Sequence, residues 1–206
     1  SFQRTFVEAY RLTPRSSGWY DGVSCKRKTE AIEVLGARKL TGRGVPYPHW
    51  ETKQPVAITA SGSVRPLKDP KLRRGREWSG PRDDFKAFPA NKQTLFPAHE
   101  LEALVSTVRS RKVRPYGPAG VLELKPKGFK ILDLGTNLTG FIGLHVVCDE
   151  PVDLYLSFDE LAMESGDLSL TRYGCANVIK YSLKPGCHDL ESIEPYTLKY
   201  LKLIAM

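Results

Sequence analysis

The chain has 206 residues, with 31 Lys+Arg against 23 Asp+Glu and a formal net charge of +8. With 41% apolar and 26% charged residues it has the composition of a folded chain, which excludes wholesale disorder, and no apolar run approaches the roughly 20 residues of a membrane-spanning helix. No secretory leader is recognised. Residue 1 is Ser and the chain stops on Leu201 to Met206, which reads as a strand in mid-course, so an excerpt of a longer protein is expected.

The charge is unevenly placed. Residues 1–115 hold 23 Lys+Arg against 11 Asp+Glu, a net of +12, and 10 of the 15 prolines; residues 116–206 carry a net of −4. Such asymmetry marks separate modules. The expected organisation is a basic, Pro-rich, irregular region over 1–115, with a few strands and one helix, packing on a β-sandwich module over 116–206.

In chain order, Arg11 to Gly18 has turn chemistry. Gly42 to Pro48 cannot be a regular element, because its prolines lack amide donors and its glycines loosen the backbone. Val56 to Val64 reads as a strand, and Arg65 to Arg82 as a basic loop. The apolar spacing of Leu101, Leu104, Val105 and Val108 predicts a helix over 98–111, with Glu100 and Glu102 in its first turns and Arg109, Arg111 and Lys112 at its end. Beyond Pro115 the period changes to two. Ile142, Leu144, Val146 and Cys148 form one apolar face. Val152, Leu154, Leu156 and Phe158 alternate with Asp153, Tyr155, Ser157 and Asp159, the pattern of a half-buried strand. Ile179, Tyr181 and Leu183 mark another strand, and Leu201 and Leu203 a last one. Turns fall at 126–128, 149–151, 165–167 and 185–186. This spacing argues for a mainly β fold, an antiparallel, jelly-roll-like sandwich rather than alternating strand–helix units.

Candidate chemistry is sparse. Cys25, Cys148, Cys175 and Cys187 include no CxxC pair, and His145 and Cys148, three apart on a strand, point to opposite faces, so no metal site is expected. His99-Glu100-Leu101-Glu102 resembles the start of a zinc-protease helix, but position 103 is Ala where the second His must stand. The adjacent carboxylates Asp83-Asp84 and Asp159-Glu160 do not form an acid/base couple on a strand, where neighbours point apart. The basic run containing Arg73, Arg74, Arg76 and Trp78 could neutralise phosphates and stack on bases, yet no nucleic-acid motif accompanies it, so a solvated loop is preferred. Trp19, Trp50 and Trp78 lie near prolines and glycines. Loop aromatics can stack on sugar rings, which makes these three the candidate carbohydrate platform, although such residues more often pin irregular chain to a core.

From Lys130 on, the chain resembles a known family. Ile131-Leu132-Asp133-Leu134-Gly135-Thr136-Asn137-Leu138-Thr139-Gly140-Phe141 resembles the D-[FL]-G-x-N-x-x-G signature of bacterial α-L-rhamnosidases of glycoside hydrolase family 78 type. In the same order, Leu156 to Leu161 resembles the family's strand ending in Glu-Leu, with Glu160 at the Glu, and Ser165 to Leu168 its next turn. Asn177 to Leu183 resembles its Asp-x-Tyr-x-Leu strand, with Tyr181 at the Tyr, and Glu194 to Leu201 its last strand. Lys199 stands where the family usually has Arg, and Lys180 near its Asp, which marks a divergent branch.

The motif residues read as structural. Gly135 and Gly140 permit a bend or close approach, Asp133 and Asn137 can cap backbone donors in the intervening turn, and Glu160 is expected partly buried against Lys or Arg. The resemblance implies a modular hydrolase. Several β-sandwich domains precede an (α/α)6 barrel that cleaves terminal α-L-rhamnose, usually with inversion and without a redox cofactor. Its carboxylates sit on the barrel, so no catalytic residue is carried over, no cofactor is implied, and this chain alone is expected to be inactive. The implied partner is the missing (α/α)6 domain of the parent chain. An excised module would also expose an apolar interface through which it could dimerise. A stand-alone carbohydrate-binding module is the second reading, and a nucleic-acid-binding protein the third.

Overall fold

In the computed structural model, residues 8–16, 36, 39, 41–42, 44–47, 49–68, 97–117, 120–172 and 175–206 are described, with backbone only at 171, 172 and 175. Their elements in order are β1 (Glu8–Leu12), β2 (Ala57–Pro66), α1 (Pro97–Glu102), β3 (Leu104–Ser110), β4 (Arg114–Pro115), β5 (Gly128–Gly140), β6 (Gly143–Cys148), β7 (Val152–Asp159), β8 (Thr171–Arg172), β9 (Cys175–Ala176), β10 (Val178–Leu183), β11 (Gly186–Glu191) and β12 (Tyr196–Ala205). The fold is mainly β. An eight-stranded sheet runs in the order β1-β10-β7-β12-β5-β2-β3, with β4 also beside β2; β6 pairs with β11, and β8 with β9. No helix among the described residues is long and apolar enough to cross a membrane.

Both faces of the central strands are covered. On one face Leu132, Leu154, Leu156, Phe158, Ile179 and Leu203 form a core with Ile142 and Leu190, against which Leu144 and Val146 of β6 pack, so the β6–β11 pair is the second layer of the sandwich. On the opposite face Phe129, Ile131, Tyr155, Val178 and Ile204 meet Ala98 and Leu101 of α1 together with Leu168 and Ala176. Each fully buried Leu, Ile or Phe contributes roughly 1.5–3 kcal/mol relative to exposure.

The covering of both faces corrects the expectation that the strand 152–158 is half-buried. Residues 154–159 of β7 are all buried, Ser157 and Asp159 among them. Alternation in the sequence distinguished two faces but not water from a covering layer, which α1 supplies together with Leu168 and Ala176. The helix expected over 98–111 is a second correction. It ends at Glu102, and Leu104–Ser110 is strand β3, paired antiparallel with β2. Val105, Thr107 and Val108 are β-branched and fit a pleated surface better than a helix interior. The open edge of β2 gives their backbone partners that a solitary helix lacks.

The sheet is antiparallel except at one edge, where β1 runs parallel to β10, with Glu8 opposite Ile179 and Leu12 opposite Leu183. Strands from either side of Pro115 share this sheet, since β2 pairs with β5 from Ala57 opposite Asp133 to Ser63 opposite Gly128.

Candidate functional site

The most irregular backbone in the large sheet lies on β5. Tyr200 is opposite Asp133 and Leu198 opposite Leu138, so residues 134–137 bulge against Lys199 alone. Gly135 makes the bulge possible. Its φ of +78° is in the left-handed region, and a Cβ there would lie 3.3 Å from a Val56 methyl carbon. The Gly135 amide donates to Asp133 Oδ1 at 2.7 Å. The bulge carries Asn137 to the end of β7, where its Nδ2 donates to Glu160 Oε2 at 2.8 Å.

Beyond the bulge, exposure alternates again through the end of β5 and the two residues after it. Leu138 is half-buried and Ile142 lies in the core, while Asn137, Thr139 and Phe141 are exposed. The Thr139 and Thr197 hydroxyls meet at 2.8 Å across β5 and β12. Phe141 is 45% exposed and touches Trp50, itself 66% exposed, with ring centroids 5.6 Å apart and planes tilted 41°. One exposed strip thus carries a carboxylate, an amide, two hydroxyls and two aromatic rings.

Three other polar clusters hold the fold together. Glu8 accepts from the Tyr10 hydroxyl (2.5 Å), the Tyr196 hydroxyl (2.6 Å) and the amides of Ile193 and Glu194 (3.1 and 3.2 Å), locking edge strand β1 to the approach to β12. Burial first, then the Glu8 carboxylate, raises the pKa of both tyrosines. Glu100 of α1 accepts from Tyr155 (2.5 Å) and from Lys180 (2.7 Å), and Lys180 also reaches Asp153 at 3.0 Å. Burial alone would lower the Lys180 pKa, but its bonds to Glu100, Tyr155 and Asp153 more than offset that, and the net shift is upward. Lys202, only 3% exposed, donates to Asp167 Oδ1 (2.5 Å) and Ser106 Oγ (2.8 Å), with Nζ 4.3 Å from the Phe129 ring centroid. Burial lowers its pKa, against the opposing pull of Asp167.

Of the three tryptophans read as a carbohydrate platform, Trp50 is in the strip; Trp19 and Trp78 lie outside the described residues, as do Arg73, Arg74 and Arg76. Gly140 ends β5 opposite Tyr196. Tyr181 is a core residue, 1% exposed, stacked on Tyr10 at 4.9 Å and 11°. Two expected roles are corrected. Glu160 is exposed and takes an amide rather than a cation, because the bulge delivers Asn137 to it; Asn137 is therefore a side-chain bridge rather than a backbone cap. Phe141, Thr139 and Thr197 stand within the motif pieces but were not read as site residues, although the period-two pattern through Leu138 and Ile142 places Thr139 and Phe141 on one exposed face. Cys148 and Cys187 are free thiols. Among the described residues no group of three or more His, Cys, Asp or Glu side chains could hold a metal ion. A shallow open depression of about 460 Å³ lies at the far end of the sheet, bordered by Arg11, Asp153, Ser182, Lys184 and Met206.

No protein-family model and no curated protein matches the chain. Solved structures do resemble it, and they are rhamnosidases. The α-L-rhamnosidase from Dictyoglumus thermophilum is 23% identical over 37% of this chain, with a TM-score of 0.33. The GH78 family rhamnosidase of Bacillus sp. GL1 is 18% identical over 67%, with a TM-score of 0.38. A Klebsiella oxytoca rhamnosidase with rhamnose bound is 15% identical over 74%, with a TM-score of 0.32. The chain spans 9%, 17% and 25% of those three proteins, respectively.

Proposed function

We propose that this chain is a non-catalytic β-sandwich module of an α-L-rhamnosidase-like glycoside hydrolase, whose role is to brace a catalytic domain downstream of it. The reading is carried by the motif pieces between Lys130 and Ile204. They are separated in sequence, and the sheet brings them side by side. Asn137 of the first piece holds Glu160 of the second, and Tyr200 of the last lies opposite both Asp133 and Asp159. The carboxylates in that network and around it serve structure. Asp133 caps Gly135, Glu160 holds Asn137, Glu100 and Asp153 hold Lys180, and Asp167 holds Lys202. The inverting pair, about 6.5–9.5 Å apart, belongs to the (α/α)6 domain, the module's partner in the parent chain.

The test is the reading frame downstream of Met206. The expected result is a helical domain that contains such a pair of carboxylates. A stop codon directly after Met206 would overturn the reading.

A further inference from the structure

We infer that the exposed strip from Glu160 and Asn137 through Thr139 and Thr197 to Phe141 and Trp50 is a binding site for a short neutral saccharide. The strip's chemistry selects the ligand class. Two adjoining aromatic rings, 66% and 45% exposed, offer apolar faces of the kind that stack on the C–H face of a pyranose. Beside them stand two hydroxyls, an amide and a carboxylate. Each retains hydrogen-bonding capacity after its bond within the strip, because a hydroxyl both donates and accepts, an amide offers a carbonyl and a second N–H, and a carboxylate has about four acceptor sites. Sugar hydroxyls need such mixed partners. One of the six side chains is an anion and none is a cation, and the neighbouring Lys199 ammonium lies over the Tyr200 ring, so a neutral polyol is favoured over phosphates and uronates.

Geometry supports the same ligand. Asn137, Thr139 and Phe141 come at every second position, from the end of the bulge to the first residue after β5, so the strip offers several successive contact points and suits a short oligosaccharide rather than a single ring. Asn137 and Thr139 are carried by β5 and Thr197 by β12, the two paired strands at the centre of the sheet, so the polar groups are held in place before a ligand arrives. The proposed function serves only to choose a rhamnoside as first probe, and the strip's affinity for sugar stands or falls apart from any catalytic domain.

The test is titration of the isotope-labelled 206-residue chain with methyl α-L-rhamnoside, a neutral cello-oligosaccharide and an oligogalacturonate, read by NMR. The neutral sugars are expected to move the Trp50 indole, Thr139, Phe141 and Thr197 signals, with the uronate binding more weakly. Trp50→Ala should weaken binding at least about tenfold and Thr139→Val about threefold, both at exposed positions that leave the fold intact. Binding of the cello-oligosaccharide without the rhamnoside would uphold the site while counting against the rhamnosidase reading. No shift with any neutral sugar at millimolar concentration would overturn the inference, as would shifts confined to other surfaces. Strip signals that move on concentrating the protein without sugar would also overturn it, in favour of a second copy of the chain, and would leave the downstream reading-frame test untouched.

Discussion

Replacing Asp167 by Asn removes the counter-charge of a lysine that is almost wholly buried. Lys202 is 3% exposed, and its ammonium is held by Asp167 Oδ1 at 2.5 Å, Ser106 Oγ at 2.8 Å and the Phe129 ring. Breaking a buried pair by removing one partner typically costs about 3–5 kcal/mol. Proton release sets a ceiling. From its ordinary pKa of 10.5, Lys202 can be neutralised at pH 7 for about 4.8 kcal/mol at 1.36 kcal/mol per unit. Because Ser106 and Phe129 remain, the expected loss is about 3 kcal/mol, or roughly 6–12 °C in Tm for a chain of this size. Asn retains an oxygen for the Leu168 amide that Asp167 Oδ1 now accepts, so the substitution isolates the charge.

The pH dependence has a definite sign. Without Asp167 the folded-state pKa of Lys202 falls further below its unfolded value. The unfolded state then binds more protons, and the deficit shrinks as pH rises toward 10.5. Urea or thermal unfolding of wild type, Asp167→Asn, Lys202→Met and the double variant measures this, the double-mutant cycle giving the coupling. In the Lys202→Met background, Asp167→Asn should cost less than about 1 kcal/mol, since no buried cation then remains to be left unpaired. An equal loss in both backgrounds, or a loss under about 1 kcal/mol in wild type, would refute the buried-pair account.

Other substitutions probe the bulge and the tyrosine cluster. Gly135→Ala, which forces a side chain into a φ of +78° beside Val56, should cost about 1–2 kcal/mol by chemical denaturation and loosen the Asn137–Glu160 bridge, seen as an Asn137 side-chain shift in NMR. Tyr10, Tyr155 and Tyr196 all have raised folded-state pKa values, so their contribution is complete below the ordinary value of 10.0 and is lost as pH climbs above it. Stability should therefore fall steeply beyond pH 10, and the slope should be shallower in Tyr196→Phe. Glu8→Gln should destabilise by about 2–3 kcal/mol, because one carboxylate serves two hydroxyls and two backbone amides, and amide-exchange protection should drop first at β1.

The strands that alternate cleanly were legible from sequence. Leu144 and Val146 on β6, Leu154 to Phe158 on β7 and Ile179 to Leu183 on β10 lie where period two puts them. What was not legible has physical causes. Leu104, Val105 and Val108 share one helical stripe, while the β-branched Val105, Thr107 and Val108 suit a strand, and only the free edge of β2 decides between them. β1 has five residues, and both its ladder partner β10 and the Ile193 and Glu194 amides that hold Glu8 come from the far end of the chain. Lys202 between Leu201 and Leu203 reads as the wet side of a strand, because nothing local announces Asp167 or Ser106 above it. At the candidate site, Trp50 was visible as an isolated aromatic. Its partner Phe141 lies one residue past the end of β5, and no local pattern links it to Trp50, which is far away in sequence.

The central claim, a brace for a rhamnose-cleaving domain, is tested most directly by assaying rhamnose release from an aryl α-L-rhamnoside with the native polypeptide that carries this sequence, beside residues 1–206 alone. The account predicts release with inversion by the native polypeptide and none by the 206-residue chain. A native polypeptide that leaves the rhamnoside intact, or hydrolysis by residues 1–206 alone, would contradict it.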